Sequence, residues 1–175
     1  MKKMMFVTVL ILLVGAMAVF PGQDMKKKAG YHRVQVFMEE YYSDYNLYAQ
    51  DAATIDLMDK YWAPEFIHIP FLPVPVYPVM DLPAWKGFLV GLHFNLLETL
   101  TVDEMSIDTK KLTVATRAKI AFHDRITGNL VVQIDCIGFY NLKVDGKGKL
   151  KMTGMKLYLA DPGALMALSG PPPGM

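Results

Sequence analysis

The chain has 175 residues and a net charge of +1, enough length for one domain with a substantial core. Apart from Lys26-Lys27-Lys28 it carries no basic stripe, which argues against a nucleic-acid-binding surface. Cys136 is the single cysteine, so there is no internal disulfide to expect, and its setting between Ile134 and Gly138 reads as a packed thiol.

The chain opens with Lys2 and Lys3, an apolar run, and then Ala16-Met17-Ala18. That is the order of a secretory signal peptide, so residues 1–18 are expected to be removed and the product exported to a periplasmic or extracellular location. The alternative is an uncleaved membrane anchor, because Met4 to Phe20 approaches the length of a span. Residues 19–30, polar with a lysine run, read as a linker. Residues 31–168 form the globular domain. Residues 169–175, Ser169-Gly170-Pro171-Pro172-Pro173-Gly174-Met175, read as a disordered tail.

Within the domain, Val34, Phe37, Tyr41, Tyr45 and Tyr48 recur at spacings of three and four, which predicts an amphipathic helix from Tyr31 to Gln50. Asp51 then stands as the N-cap of a second helix, Ala52 to Tyr61, ended by Ala63-Pro64. Phe66-Ile67-His68-Ile69 follows as a short strand closed by Pro70. Residues 70–83 hold five prolines interleaved with apolar side chains, an extended loop outside any sheet interior. Four kinds of cover suit it: a flap over the domain's own core, a lid over a pocket, a dimer contact, or a membrane-surface contact. Membrane contact is otherwise expected only through the N-terminal segment. Trp85 to Leu97 is a third helix, with Trp85, Phe88, Leu89, Leu92 and Leu96 inward and His93 near them.

Thr101 to Asp108 and Leu112 to Asp124 are strands joined by a tight turn. In the second, Val114, Thr116, Ala118, Ile120 and Phe122 alternate with polar positions, as in a sheet with one dry face. Leu130 to Asp161 is a long β-hairpin turning at Asp145-Gly146-Lys147-Gly148, with arms of about a dozen residues. Ala164 to Leu168 is a short helical turn. The order predicts an α+β fold: a cone-shaped, strongly curved antiparallel sheet with about three helices on its concave face.

Tyr61-Trp62-Ala63-Pro64-Glu65-Phe66, Thr127-Gly128, Asp145-Gly146-Lys147-Gly148 and Asp161-Pro162-Gly163-Ala164-Leu165, in this element order, resemble the nuclear transport factor 2-like superfamily, and its SnoaL-like branch in particular. The resemblance covers about Val34 to Leu168. It implies a cystatin-like cone, often dimeric, with a pocket between sheet and helices. Its relatives include ketosteroid isomerase, scytalone dehydratase and polyketide cyclases beside many non-enzymes, so fold alone does not choose an activity. Matched to ketosteroid isomerase, Tyr45 takes the place of the oxyanion-donating tyrosine, Ile69 that of the catalytic base, and Tyr140 falls near the second donor. Matched to scytalone dehydratase, Asp51 takes the place of its carboxylate, Pro70 that of a tyrosine, and His123 that of one paired histidine.

Strand and helix parity send Tyr41, Tyr45, Tyr48, Trp85, Phe122, Tyr140, Met155 and Leu157 into one ligand pocket. The candidate catalytic groups are His93, His123, Asp135 and Asp51. Asp135 has two readings: an outward residue paired with Arg117 or Lys119, or a buried base if a bulge reverses parity. His68 alternates with Ile67 and Ile69 and reads as structural. No metal site is expected, since the four histidines lack ligand spacing, and no cofactor is implied, since no phosphate loop, dinucleotide fingerprint or G-x-S-x-G appears. The expected function is an exported module binding a small apolar or carbonyl-bearing molecule. The alternatives are a cofactor-free acid–base enzyme of isomerase, dehydratase or cyclase type, and a protein-interaction module. The missing base at Ile69 favours binding over catalysis. A homodimer is expected through the convex sheet face, with Gln133, Ile137, Phe139 and Asn141.

Overall fold

The computed structural model describes residues 22–71 and 79–169, so the expected signal peptide, the centre of the proline-rich loop and the end of the tail lie outside the described residues. The elements are α1 (Gly22–Tyr48), a 3-10 helix (Ala52–Lys60), β1 (Trp62–Phe71), β2 (Met80–Asp81), α2 (Leu82–Asn95), β3 (Leu96–Asp108), β4 (Thr113–Asp124), β5 (Leu130–Val144), β6 (Leu150–Leu159) and α3 (Pro162–Ser169). The six strands form one sheet in the order β2-β1-β6-β5-β4-β3. Only β1 and β6 run parallel; every other neighbour pair is antiparallel. This is the expected α+β fold.

The core sits between the helices and one sheet face. Along β5, Ile134, Cys136, Gly138, Tyr140 and Leu142 are buried while Gln133, Asp135, Ile137, Phe139 and Asn141 are exposed, a strict two-residue period. Tyr140 and Leu142 pack with Val34, Met38, Tyr41, Tyr42, Tyr45 and Tyr48 of α1 and Trp85 and Leu89 of α2, while Ile134 and Cys136 join a second cluster with Leu92, Leu96, Ile120 and Phe122. Gly138 is required by packing. A Cβ there would stand 2.6 Å from the Tyr140 hydroxyl, so the glycine opens the space into which that ring folds back.

Several boundaries differ from the sequence reading. Helix α1 begins at Gly22, within the stretch read as linker. The second helix is of the 3-10 type, held by i to i+3 bonds such as Thr54 N to Asp51 O and Tyr61 N to Met58 O. Strand β1 is longer than Phe66–Ile69. Its pairing to β6 jumps from Trp62↔Met152 to Ile67↔Gly154, and Pro64 lies in that irregularity, where no ladder bond is demanded of it. Pro70 and Phe71 belong to the ladder with β6. Helix α2 starts earlier than Trp85, because the Asp81 carboxylate caps it by accepting from Ala84 N and Pro83 fills the first turn. The chain then enters β3 directly at Leu96, where pairing with β4 overrides the helical run of leucines.

His68 is 4% exposed, and neither ring nitrogen has a hydrogen-bond partner among the described residues. It lies face to face on Trp85, centroids 4.0 Å apart and planes 14° from parallel. Burial pushes its pKa down from 6.5 to about 3. The unfolded chain takes up this proton near pH 6.5 and the folded chain does not until about 3. Stability is therefore lost as pH falls between those values. Between pH 7 and pH 5 the parent should lose about 2 kcal/mol more than His68→Phe in denaturant unfolding. Equal losses in the two proteins would show that His68 does not set the acid limit.

Candidate functional site

Strand β3 is an edge of the sheet, and its outer edge is bonded to the end of α1. Asn46 Nδ2 donates to Leu100 O at 2.9 Å, and Leu100 N donates to Asn46 Oδ1 at 2.7 Å, so one amide side chain imitates a strand partner. Gln50 Nε2 donates to Glu98 O at 3.1 Å. From the turn after β4, Arg125 reaches the same corner. Its guanidinium donates to Gln50 O at 2.7 Å and to His93 O at 2.8 Å, with a longer bond to Leu96 O. One cation thus ties together the end of α1, the last turn of α2 and the start of β3.

These ties bring four side chains into one buried cluster. Glu98, 4% exposed, accepts on Oε2 from the Tyr45 hydroxyl at 3.0 Å and meets His93 Nε2 on the same oxygen at 2.6 Å. His93 is fully buried, and its Nδ1 lies 2.9 Å from the Tyr48 hydroxyl. A neutral ring that donates from Nε2 accepts at Nδ1 from Tyr48, which satisfies both nitrogens. Burial, and then the nearby Glu98, hold the Tyr45 and Tyr48 hydroxyls well above their ordinary pKa. Burial raises Tyr41 as well and lifts Tyr140 to about 12. All four stay phenols at neutral pH and can donate.

Beside the cluster lies a cavity of about 60 Å³, walled by Tyr41, Tyr45, Trp85, Glu98, Phe122, Tyr140, Met155 and Leu157, among others, Leu165 of α3 included. Seven of the eight residues that sequence parity sent to a pocket therefore line it. The exception is Tyr48, which stands behind His93. Glu98 is the one charged residue in the wall among the described residues. At about 10–15 Å³ per water centre the space takes some five waters, equivalent to roughly one six-membered ring.

Of the four catalytic candidates, only His93 joins the cluster. Asp51 is exposed and caps the 3-10 helix by accepting from Ala53 N at 3.1 Å, so it is no pocket carboxylate. Asp135 points outward, opposite Lys119 in the ladder, because parity along β5 is not reversed at that position. Lys119 itself reaches Asp103 at 3.4 Å, and Arg117 pairs with Glu104 at 2.7 Å. His123 follows the inward Phe122 with opposite parity and is not in the cavity wall. Ile69, at the place of the isomerase base, is 43% exposed, and the residue beside it that turns inward is His68. The buried Cys136 thiol is pushed up to about 11, chiefly by burial. Among the described residues no three of His, Cys, Asp and Glu gather as a metal-binding group.

Sequence reasoning missed Glu98, Arg125 and Asn46. The signal for Glu98 was an acid within the apolar run Leu96-Leu97-Glu98-Thr99-Leu100, five residues past His93. It was hidden by placing that run partly in a helix.

No protein-family model and no curated protein sequence matches the chain. Solved structures do match it. An NTF2-like protein with a cystatin-like fold from Novosphingobium aromaticivorans aligns at TM-score 0.60 and 10% identity, over 87% of this chain and 99% of that one. A SnoaL-like polyketide cyclase candidate from Jannaschia sp. CCS1 aligns at 0.58 and 15%, over 81% and 94%. BvnE pinacolase from Penicillium brevicompactum aligns at 0.61 and 12%, over 75% and 88%. At these identities the likeness establishes the fold.

Tyr45→Phe takes one of two donors from a buried carboxylate and should cost about 1–3 kcal/mol in denaturant unfolding. In a double-mutant cycle with Glu98→Gln, the two losses should be non-additive by about 1 kcal/mol. Additive losses would show that the Tyr45–Glu98 bond does not carry the effect.

Proposed function

We propose that this protein, an NTF2-like fold by its structural likeness, is a cofactor-free acid–base enzyme of isomerase or lyase type acting on a small, mostly apolar molecule bound in the cone cavity. One observation carries the reading: Glu98 stands in an otherwise uncharged wall with His93 behind it and Tyr45 beside it. A carboxylate so placed can take a proton from carbon, and the adjacent imidazole holds it in orientation. The electron pair released moves onto a carbonyl oxygen of the substrate, where a phenol of the wall donates to the developing charge. The exposed Ile69 no longer weighs against catalysis, because another strand supplies the acid. The names cyclase and pinacolase among the structural neighbours fit a scaffold that hosts small-molecule chemistry.

Passive binding of the same ligand is the second reading, favoured by the smallness of the cavity. Cyclohexanone, a ring ketone of suitable size, separates the two. In deuterated water the parent should exchange its α-hydrogens, and Glu98→Gln should slow the exchange at least a hundredfold while changing affinity less than threefold. Equal exchange by both proteins leaves a binding module, and no affinity in the parent removes the carbonyl ligand altogether.

Export and homodimer formation belong to the same proposal. Lys2, Lys3 and Ala16-Met17-Ala18 support the first. The exposed Ile137 and Phe139, with Gln133 and Asn141 beside them on the convex face, support the second. The exported product should begin near Val19 and sediment as a dimer at micromolar concentration. An intact Met1 or a monomer would remove the respective claim.

A further inference from the structure

His68 is flanked by two thioethers. On β1 it stands directly opposite Met80 of β2 on one side and Met155 of β6 on the other. Directly paired residues of neighbouring strands project to the same face of a sheet, with Cβ atoms about 4.5–5.5 Å apart in antiparallel pairs. All three are buried: His68 at 4%, Met80 at 6% and Met155 at 4% exposure. Buried imidazole nitrogens ordinarily find hydrogen-bond partners, yet both of those on His68 are without one among the described residues. Trp85 covers one face of the ring at a centroid distance of 4.0 Å, and the lone pair of the imidazole lies in the ring plane, clear of that stack.

We propose that His68, Met80 and Met155 form a binding site for a soft monovalent cation, Cu(I) or Ag(I), beneath Trp85. The choice of metal follows from softness and charge. Two thioethers and one imidazole select Cu(I) over the hard divalent ions, which prefer carboxylate and carbonyl oxygens. A zinc site would bring thiolates, carboxylates or several histidines, and none of these joins the three residues. The ligand set is uncharged, so a divalent ion buried here would meet no compensating anion, whereas one positive charge is far less costly to desolvate. Asp81, next to Met80, is exposed and spends its carboxylate on the cap of α2. The bland account of these residues is a packed stack padded by methionines. It leaves both buried ring nitrogens without a partner among the described residues.

The test is anaerobic titration of the full chain with Ag(I), read by native mass spectrometry and by Trp fluorescence, and repeated with Cu(I) against a competing chelator. The parent should bind one equivalent. Met80→Leu and Met155→Leu, which nearly preserve core volume, should each weaken binding at least tenfold, and the double variant should abolish it. His68→Leu should abolish it too; where that variant fails to fold by circular dichroism, the methionine pair decides. Cys136→Ser should bind as the parent does. Loss of binding in Cys136→Ser would assign the ion to the buried thiol and overturn the proposal. So would unchanged affinity in the double methionine variant, or no binding by the parent.

Discussion

A carboxylate sealed inside an apolar shell is the constraint from which the inner architecture follows. Removing Glu98 from water costs several kcal/mol unless donors replace the lost hydration. No neighbour in the chain can supply them, so they come from elsewhere: the Tyr45 hydroxyl from α1 and the His93 ring from the last turn of α2. Two helices must then hold station on one edge strand to within hydrogen-bond tolerance. Asn46 and Gln50 fasten α1 to β3, and the Arg125 guanidinium binds the ends of both helices to the strand's first residues. A group several residues from the cavity thereby fixes the geometry within it.

The cavity lies where a row of large rings meets the inner face of the sheet. Tyr41, Tyr42, Tyr45, Tyr48 and Tyr140 pack around one another with centroids 5.3–6.3 Å apart, edge to face except for the tilted Tyr41–Tyr45 pair. Rings at that separation are rigid and leave angular spaces that flexible side chains would close. Gly138 makes one such packing possible by giving up its own side chain to the Tyr140 ring. The result is a small, mostly apolar space with a carboxylate as its charged wall, where an electrostatic interaction is stronger than in water.

Fold class, helix faces and strand parity were legible in the sequence because each rests on a local period: three and four on α1, two on β4 and β5. Parity alone, without the topology, turns to one side seven of the residues that line the cavity. What was not legible depended on meetings between distant segments. Asp51 and Asp135 are acids in suggestive local settings, but a cap and an outer sheet face claim them. Glu98 looked unremarkable, because its importance comes from a helix that ends sooner than its leucines suggest and a strand that begins at once. Arg125 stands in a turn whose local chemistry says nothing of the carbonyls it reaches, those of Gln50, His93 and Leu96. The same reason hides the neighbours of His68, since Met80 and Met155 are separated from it by 12 and 87 residues of chain and joined to it only by register.

The two chemistries of the inner face, hard acid and soft sulfur, are kept apart by the sheet yet share a wall. Glu98 belongs to the β3 edge and His68 to the β1 side, with β6, β5 and β4 between them. Trp85 and Met155 line the cavity that Glu98 faces, and the same two side chains stack on and flank His68. A change in the position of either reaches both sites, because an interior packed at crystal-like density does not absorb a displaced ring. An ion held between Met80 and Met155 would fix the Met155 side chain and the tilt of Trp85, and so the shape of the far end of the cavity. Coupling between the two sites would therefore be carried by these two shared residues, a contiguous physical path with no intervening helix motion.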